Sequence, residues 1–73
     1  MHKLLAQQIH EEIVLLQQAE AQASQLLQTA RAQHVSFGLE YNYVDDDIAR
    51  MIGRLRYMQR VAERHAGDSP EDE

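Results

Sequence analysis

The chain has no cysteine, no tryptophan, one proline and three glycines in 73 residues. Without cysteine there is no disulfide framework. The four histidines, His2, His10, His34 and His65, are scattered, without the paired spacing of a structural zinc site. A domain this short buries only about 60% of its unfolded surface. With no covalent or metal staple, self-association is the usual remedy for so small a core. Long apolar runs are also missing. Residues 13–16 form a run far too short to span a bilayer. Residues 1–8 carry one lysine and no apolar stretch of signal-peptide length. The expectation is a cytoplasmic protein without a membrane segment. The net charge of −5 repels nucleic acid on average.

What is present is helix. Residues 3–34 contain neither Gly nor Pro and are rich in Ala, Leu, Gln and Glu. Leu5, Ile9, Ile13, Leu16, Ala19, Ala23, Leu26, Leu27 and Ala30 recur mostly at steps of three or four, as one face of a helix does. Leu4, Val14 and Leu15 broaden that stripe. A second period, Ile48, Met51, Ile52, Leu55, Met58, Val61 and Ala62, predicts a helix over 45–66. Asp45, Asp46 and Asp47 precede it, where one carboxylate can cap free amides and the others sit at the positive helix end. Asn42 is a rival cap. Gly38 is the expected left-handed stop for the first helix. Gly53 inside the second suggests close helix contact. Gly67 and Pro70 suggest a stop followed by a disordered acidic tail over 67–73.

The connector, residues 35–44, differs from both helices. It holds Val35, Phe37, Leu39, Tyr41 and Tyr43 in alternation, as a half-buried strand would. No partner strand exists in the chain, so the expected form is a loop with its aromatics folded over the hairpin end. An intersubunit strand is the alternative.

The fold class expected is all-α: an antiparallel two-helix hairpin, residues 1–66, dimerising into a four-helix bundle. If the ends near His34 and Asp45 meet, Leu27 lies level with Ile52, Glu20 near Gln59 and Val14 opposite His65. Leu4, Leu5 and Ile9 then overhang, and Glu20 falls within reach of Arg56 or Arg60. The overhang and the half-covered stripes both call for a homodimer or a heterologous partner helix. The interface core expected is Leu5, Ile9, Ile13, Leu16, Ala23, Leu26 and Leu27 with Ile48, Met51, Ile52, Leu55 and Met58. Phe37, Tyr41 and Tyr43 are candidate anchors for another protein.

Chemical signatures are sparse. Tyr43-Val44-Asp45-Asp46 resembles the Tyr-x-Asp-Asp hairpin of reverse transcriptases. That resemblance implies paired carboxylates on a β-turn and a third on a neighbouring strand, and this chain has no sheet to supply them. His10-Glu11-Glu12 begins a zinc-protease motif whose second His is replaced by Val14. Glu12 and His65 are expected in one layer as a polar pair that fixes register. No nucleophile stands beside a His, no EF-hand spacing is present, and neither catalytic residues nor cofactor nor metal is expected. The function expected is a protein-interaction module: an adaptor, regulator or small subunit. The alternative is an RNA- or DNA-binding regulator using Arg50, Arg54, Arg56, Tyr57, Arg60 and Arg64.

Overall fold

In the computed structural model, residues 2–68 are described. They form two helices and no strand: α1, His2–Ala32, and α2, Val44–Asp68, packed antiparallel as a hairpin. Of the expected tail, Gly67 and Asp68 belong to α2, and residues 69–73 lie outside the described residues.

The seam between the helices follows a strict seven-residue repeat. In α1 the positions turned towards α2 are Ala6, Ile9, Ile13, Leu16, Glu20, Ala23, Leu27 and Ala30, all buried or half-buried. Steps of three and four alternate without a break, the 3.5-residue period of a coiled-coil seam. In α2 the matching positions are Ile48, Ile52, Leu55, Gln59 and Ala62. Ile13, Leu27 and Ala62 are each only 4% exposed. Ile9, Ile13, Ile52 and Ala62 form the core cluster together with Ala6, and Leu16, Ile48 and Leu55 pack on it. Ala6 lay outside the expected stripe, and its small side chain hid it.

The register differs from the expected one by about two helical turns. Glu20 shares a cleft with Ile52, Gly53 and Arg56, and Gln59 plays no part in it. Leu5 and Ile9 lie against Met58, Val61, Ala62 and His65. Of the expected overhang Ile9 is covered, at 8% exposed, while Leu4 and Leu5 stay exposed at 52% and 45%. The cause is the connector. α1 does not stop beside the start of α2; its last turn runs past it, so Leu27, Ala30 and Arg31 share a hollow with Asn42 and Tyr43.

The turn that ends α1 is made by His34, not by Gly38. His34 has φ +59°, its N–H donates to the Arg31 carbonyl at 3.0 Å, and Val35 N–H donates to the Ala30 carbonyl at 2.8 Å. That pair of bonds is a Schellman motif with histidine where glycine is usual. Gly38, at φ +94°, turns the connector instead: its carbonyl accepts the amides of Tyr41 and Asn42 at 3.1 and 3.0 Å. These turns exclude a continuous strand through 35–44. Asn42 caps no helix. Its Oδ1 accepts the Phe37 amide, and its Nδ2 donates to Ser36 Oγ, each at 3.1 Å.

At the start of α2 the first helical bond runs from Asp47 N–H to the Tyr43 carbonyl at 3.2 Å. Tyr43 is therefore the cap residue, and Asp45 Oδ1 accepts the Asp46 amide at 3.0 Å. Asp45, Asp46 and Asp47 lie inside the first turn, where they act on the helix dipole. Gly53 marks no close approach. A Cβ placed on it would meet nothing within 4 Å.

Candidate interaction surface

The hairpin has two broad sides, and the repeat makes them unlike. On α1, Leu5, Glu12, Ala19 and Leu26 are spaced by seven and stand one residue before seam positions. On α2, Val44, Met51, Met58 and His65 do the same. In an antiparallel pair these two flanks lie on one side of the seam. Leu5 and Ile9 accordingly meet Met58, Val61 and His65 in one shallow groove of about 280 Å³. The other side carries His10, Gln17, Ser24 and Arg31 from α1 with Ala49, Arg56 and Glu63 from α2. Its cleft, about 270 Å³, is lined by Gln17, Glu20 and Arg56 around Ile52 and Gly53. The first side is mainly apolar, with Glu12 and His65 among its flank residues, and the second carries more of the polar side chains.

The expected interface core divides accordingly. Ile9, Ile13, Leu27 and Ile52 are buried in the seam, and Leu16, Ala23, Ile48 and Leu55 are partly buried there. Leu5, Leu26, Met51 and Met58 are exposed on the apolar side, Leu26 at 61% and Met51 at 49%. Leu15 stands exposed beside them on α1, and Val61, half-buried, beside them on α2. The sequence signal for this flank is the spacing of Leu5, Ala19 and Leu26 in multiples of seven, which falls within the same wide helical stripe as the seam.

The expected polar pair does not share a layer: His65 lines the groove with Leu5 and Ile9, Glu12 does not, and both are exposed, with no polar or charged residue buried among the described residues. Glu20 and Arg56 line one cleft without an ion pair. Arg50 Nη1 makes a local ion pair with Asp47 Oδ1 at 3.3 Å, both exposed. Such a pair adds little stability.

Phe37 and Tyr41 do not fold over the hairpin end, and Tyr43 only edges the hollow beside Leu27 and Ala30. Phe37, Tyr41 and Tyr43 are each more than half exposed. Leu39, which the sequence did not single out as an anchor, is the most exposed large apolar residue of the described chain.

The arginines spread around the outer surface of α2. Arg50, Tyr57 and Arg64 are spaced by seven on its back, Arg54 lies towards the apolar side, and Arg56 and Arg60 towards the polar side. The Arg60 guanidinium sits 5.9 Å from the Tyr57 ring centre, a cation–π contact. Tyr57, Arg60 and Arg64 line one groove, but Glu63 shares it. Among the described residues no three His, Asp or Glu side chains converge as metal ligands, and no helix is long and apolar enough to cross a membrane. No family model, no curated protein and no solved structure matches the chain.

Proposed function

We propose that the chain is a small helical protein-interaction module that works as a homo-oligomer, with the apolar side of the hairpin as its docking surface. The observation that carries this reading is the thinness of the molecule. Its Cα extents are 57 × 18 × 10 Å, so the hairpin is a slab one helix thick with no interior beyond the seam. Its radius of gyration is 16.8 Å, against roughly 11 Å for a compact domain of this length. Its accessible surface is 5712 Å², against roughly 4,600 Å² for a compact monomer of this mass. Absence of cysteine fits work in a reducing compartment such as the cytoplasm. The exposed Phe37, Tyr41 and Tyr43 suit contact with a further protein at the connector end.

The test compares two surface substitutions by sedimentation equilibrium at micromolar concentration. Met51→Lys places a charge on the apolar side and is expected to give monomer. Ala49→Lys, on the polar side two residues away, is expected to leave the assembly intact. A monomeric wild-type chain, or equal effects of the two substitutions, refutes the reading.

A second reading rests on the Tyr57, Arg60 and Arg64 groove, where an aromatic ring and two guanidinium groups lie together as a phosphate-and-base contact requires. Against it, Glu63 lines the same groove and Asp47 engages Arg50. An RNA titration at two salt concentrations decides it. Binding that weakens with salt and with Arg60→Ala supports the reading, and no binding at low salt removes it.

A further inference from the structure

We propose that the docked partner is a second copy of this chain, arranged so that α1 of each copy lies antiparallel across α2 of the other. This rests on the reading of the apolar side given above and adds the geometry of the complex. Two hairpins stacked apolar side to apolar side can be related by a dyad in only two simple ways. A dyad across the helices stacks α1 on the partner's α1 and α2 on the partner's α2. A dyad parallel to the helices stacks α1 on the partner's α2.

The charges choose between them. The acidic residues of α1, Glu11, Glu12 and Glu20, lie in its first two-thirds, and Arg31 lies in its last turn. In α2 the order is reversed: Asp45, Asp46 and Asp47 occupy the first turn, and five arginines follow between Arg50 and Arg64. The register places Glu20 beside Arg56, and Arg31 at the end where α2 begins. Opposite charges thus lie level along the rod. A dyad parallel to the helices leaves every residue at its own level. Whatever α1 faces in its own α2 it also faces in the partner's, and no sliding register remains to be chosen. A dyad across the helices instead stacks α2 on the partner's α2, and Arg54, the one of the five arginines towards the apolar side, then approaches its own copy, where like charges repel.

In the parallel-dyad arrangement Ala19 and Met51 meet their copies in a central layer, because they adjoin Glu20 and Ile52, which share one level. The small Ala19 gives the longer Met51 room. Leu26 and Val44 form the layer towards the connector. Glu12, exposed on the apolar flank, stands level with Met58 in this layering, a little over one helical turn from the partner's Arg54, exposed on the same side. An interface of standard size buries about 800 Å² per partner. That is comparable with the surface this slab exposes beyond a compact monomer of its mass.

Charge reversal tests the arrangement. Glu12→Arg and Arg54→Glu, each checked for helicity by circular dichroism, are measured alone and as an equimolar mixture by sedimentation equilibrium. Each alone puts like charges together across the dyad, and at least about a tenfold weaker self-association is expected. The mixture forms a heterodimer in which both crossed pairs are again opposite, and association within about threefold of wild type is expected. A contact inside one chain would not be repaired by mixing. Weakened single variants without rescue overturn the crossed arrangement, as do single variants that associate like wild type. If Met51→Lys still gives monomer in either case, the apolar docking surface stands and only its geometry fails. A monomeric wild-type chain overturns both.

Discussion

A side chain with a Cβ in the left-handed region costs roughly 1–2 kcal/mol that a glycine does not. His34 carries that cost at φ +59°, while Gly38, four residues on, occupies a second left-handed turn. A glycine four residues past a histidine reads as the helix stop, which is why Gly38 was the expected end of α1. The stop is instead set where the seam ends: Ala30 is the last buried seam position, and Val35 closes the Schellman bond back to its carbonyl. Residue preference alone does not locate it. His34→Gly is therefore expected to raise stability by about 1 kcal/mol, read as a higher urea midpoint at unchanged slope. Gly53 gives the opposite case. It sits mid-helix, exposed, with free space around the position a Cβ would take. Gly53→Ala should stabilise by about 1 kcal/mol, again in the urea midpoint. A loss of stability would mean that something covers this face in the assembled protein. The polar side is not the docking surface proposed, so a gain also fits the placement of the partner.

At the scale of the element, both helices and their antiparallel packing were legible because Gly- and Pro-free periodic segments leave few alternatives. Ile9, Ile13, Leu27 and Ile52 could be read as core because large aliphatic residues recur there at helical spacing. Three things were not legible. Ala6 carries too little side chain to stand out, and Glu20 and Gln59 occupy seam positions that a hydrophobic pattern skips. The register was also hidden, because the connector folds back beside the last turn of α1 instead of extending beyond it. The seam itself predicts which substitutions the hairpin cannot bear. Leu16 and Leu55 are partly buried and pack on the core cluster. A carboxylate at either site loses water without gaining a partner. Leu16→Asp or Leu55→Asp is expected to cost about 3 kcal/mol or more, enough to abolish helicity in circular dichroism at room temperature. Glu20→Leu tests the converse. It completes the aliphatic seam beside Ile52 and should raise the melting temperature, provided that the carboxylate has no cross-chain partner.

At the scale of the molecule, the case for a partner no longer rests on an uncovered first helix. The ten residues from Leu4 to Ile13 include three of the best-buried side chains, Ala6, Ile9 and Ile13. It rests on the flanks: a slab 10 Å thick has a seam but no second layer, and Leu5, Leu26, Met51 and Met58 remain on one side. Most helical stability in a protein comes from packing of an amphipathic face, and these two helices share only one seam. Folding and association are then expected to be linked, since a partner that binds only the folded hairpin stabilises it by mass action. The melting temperature should rise as the chain is concentrated across the micromolar range. Met51→Lys should lower it and abolish its dependence on concentration, while Ala49→Lys should keep that dependence. A melting temperature independent of concentration, in a chain that sediments as a monomer, would mean that the seam alone supplies enough burial and that the apolar side is held for a different protein. A high melting temperature in Met51→Lys with concentration dependence retained would place the contact elsewhere, and the exposed connector around Phe37, Leu39 and Tyr41 is the surface that would then have to make it.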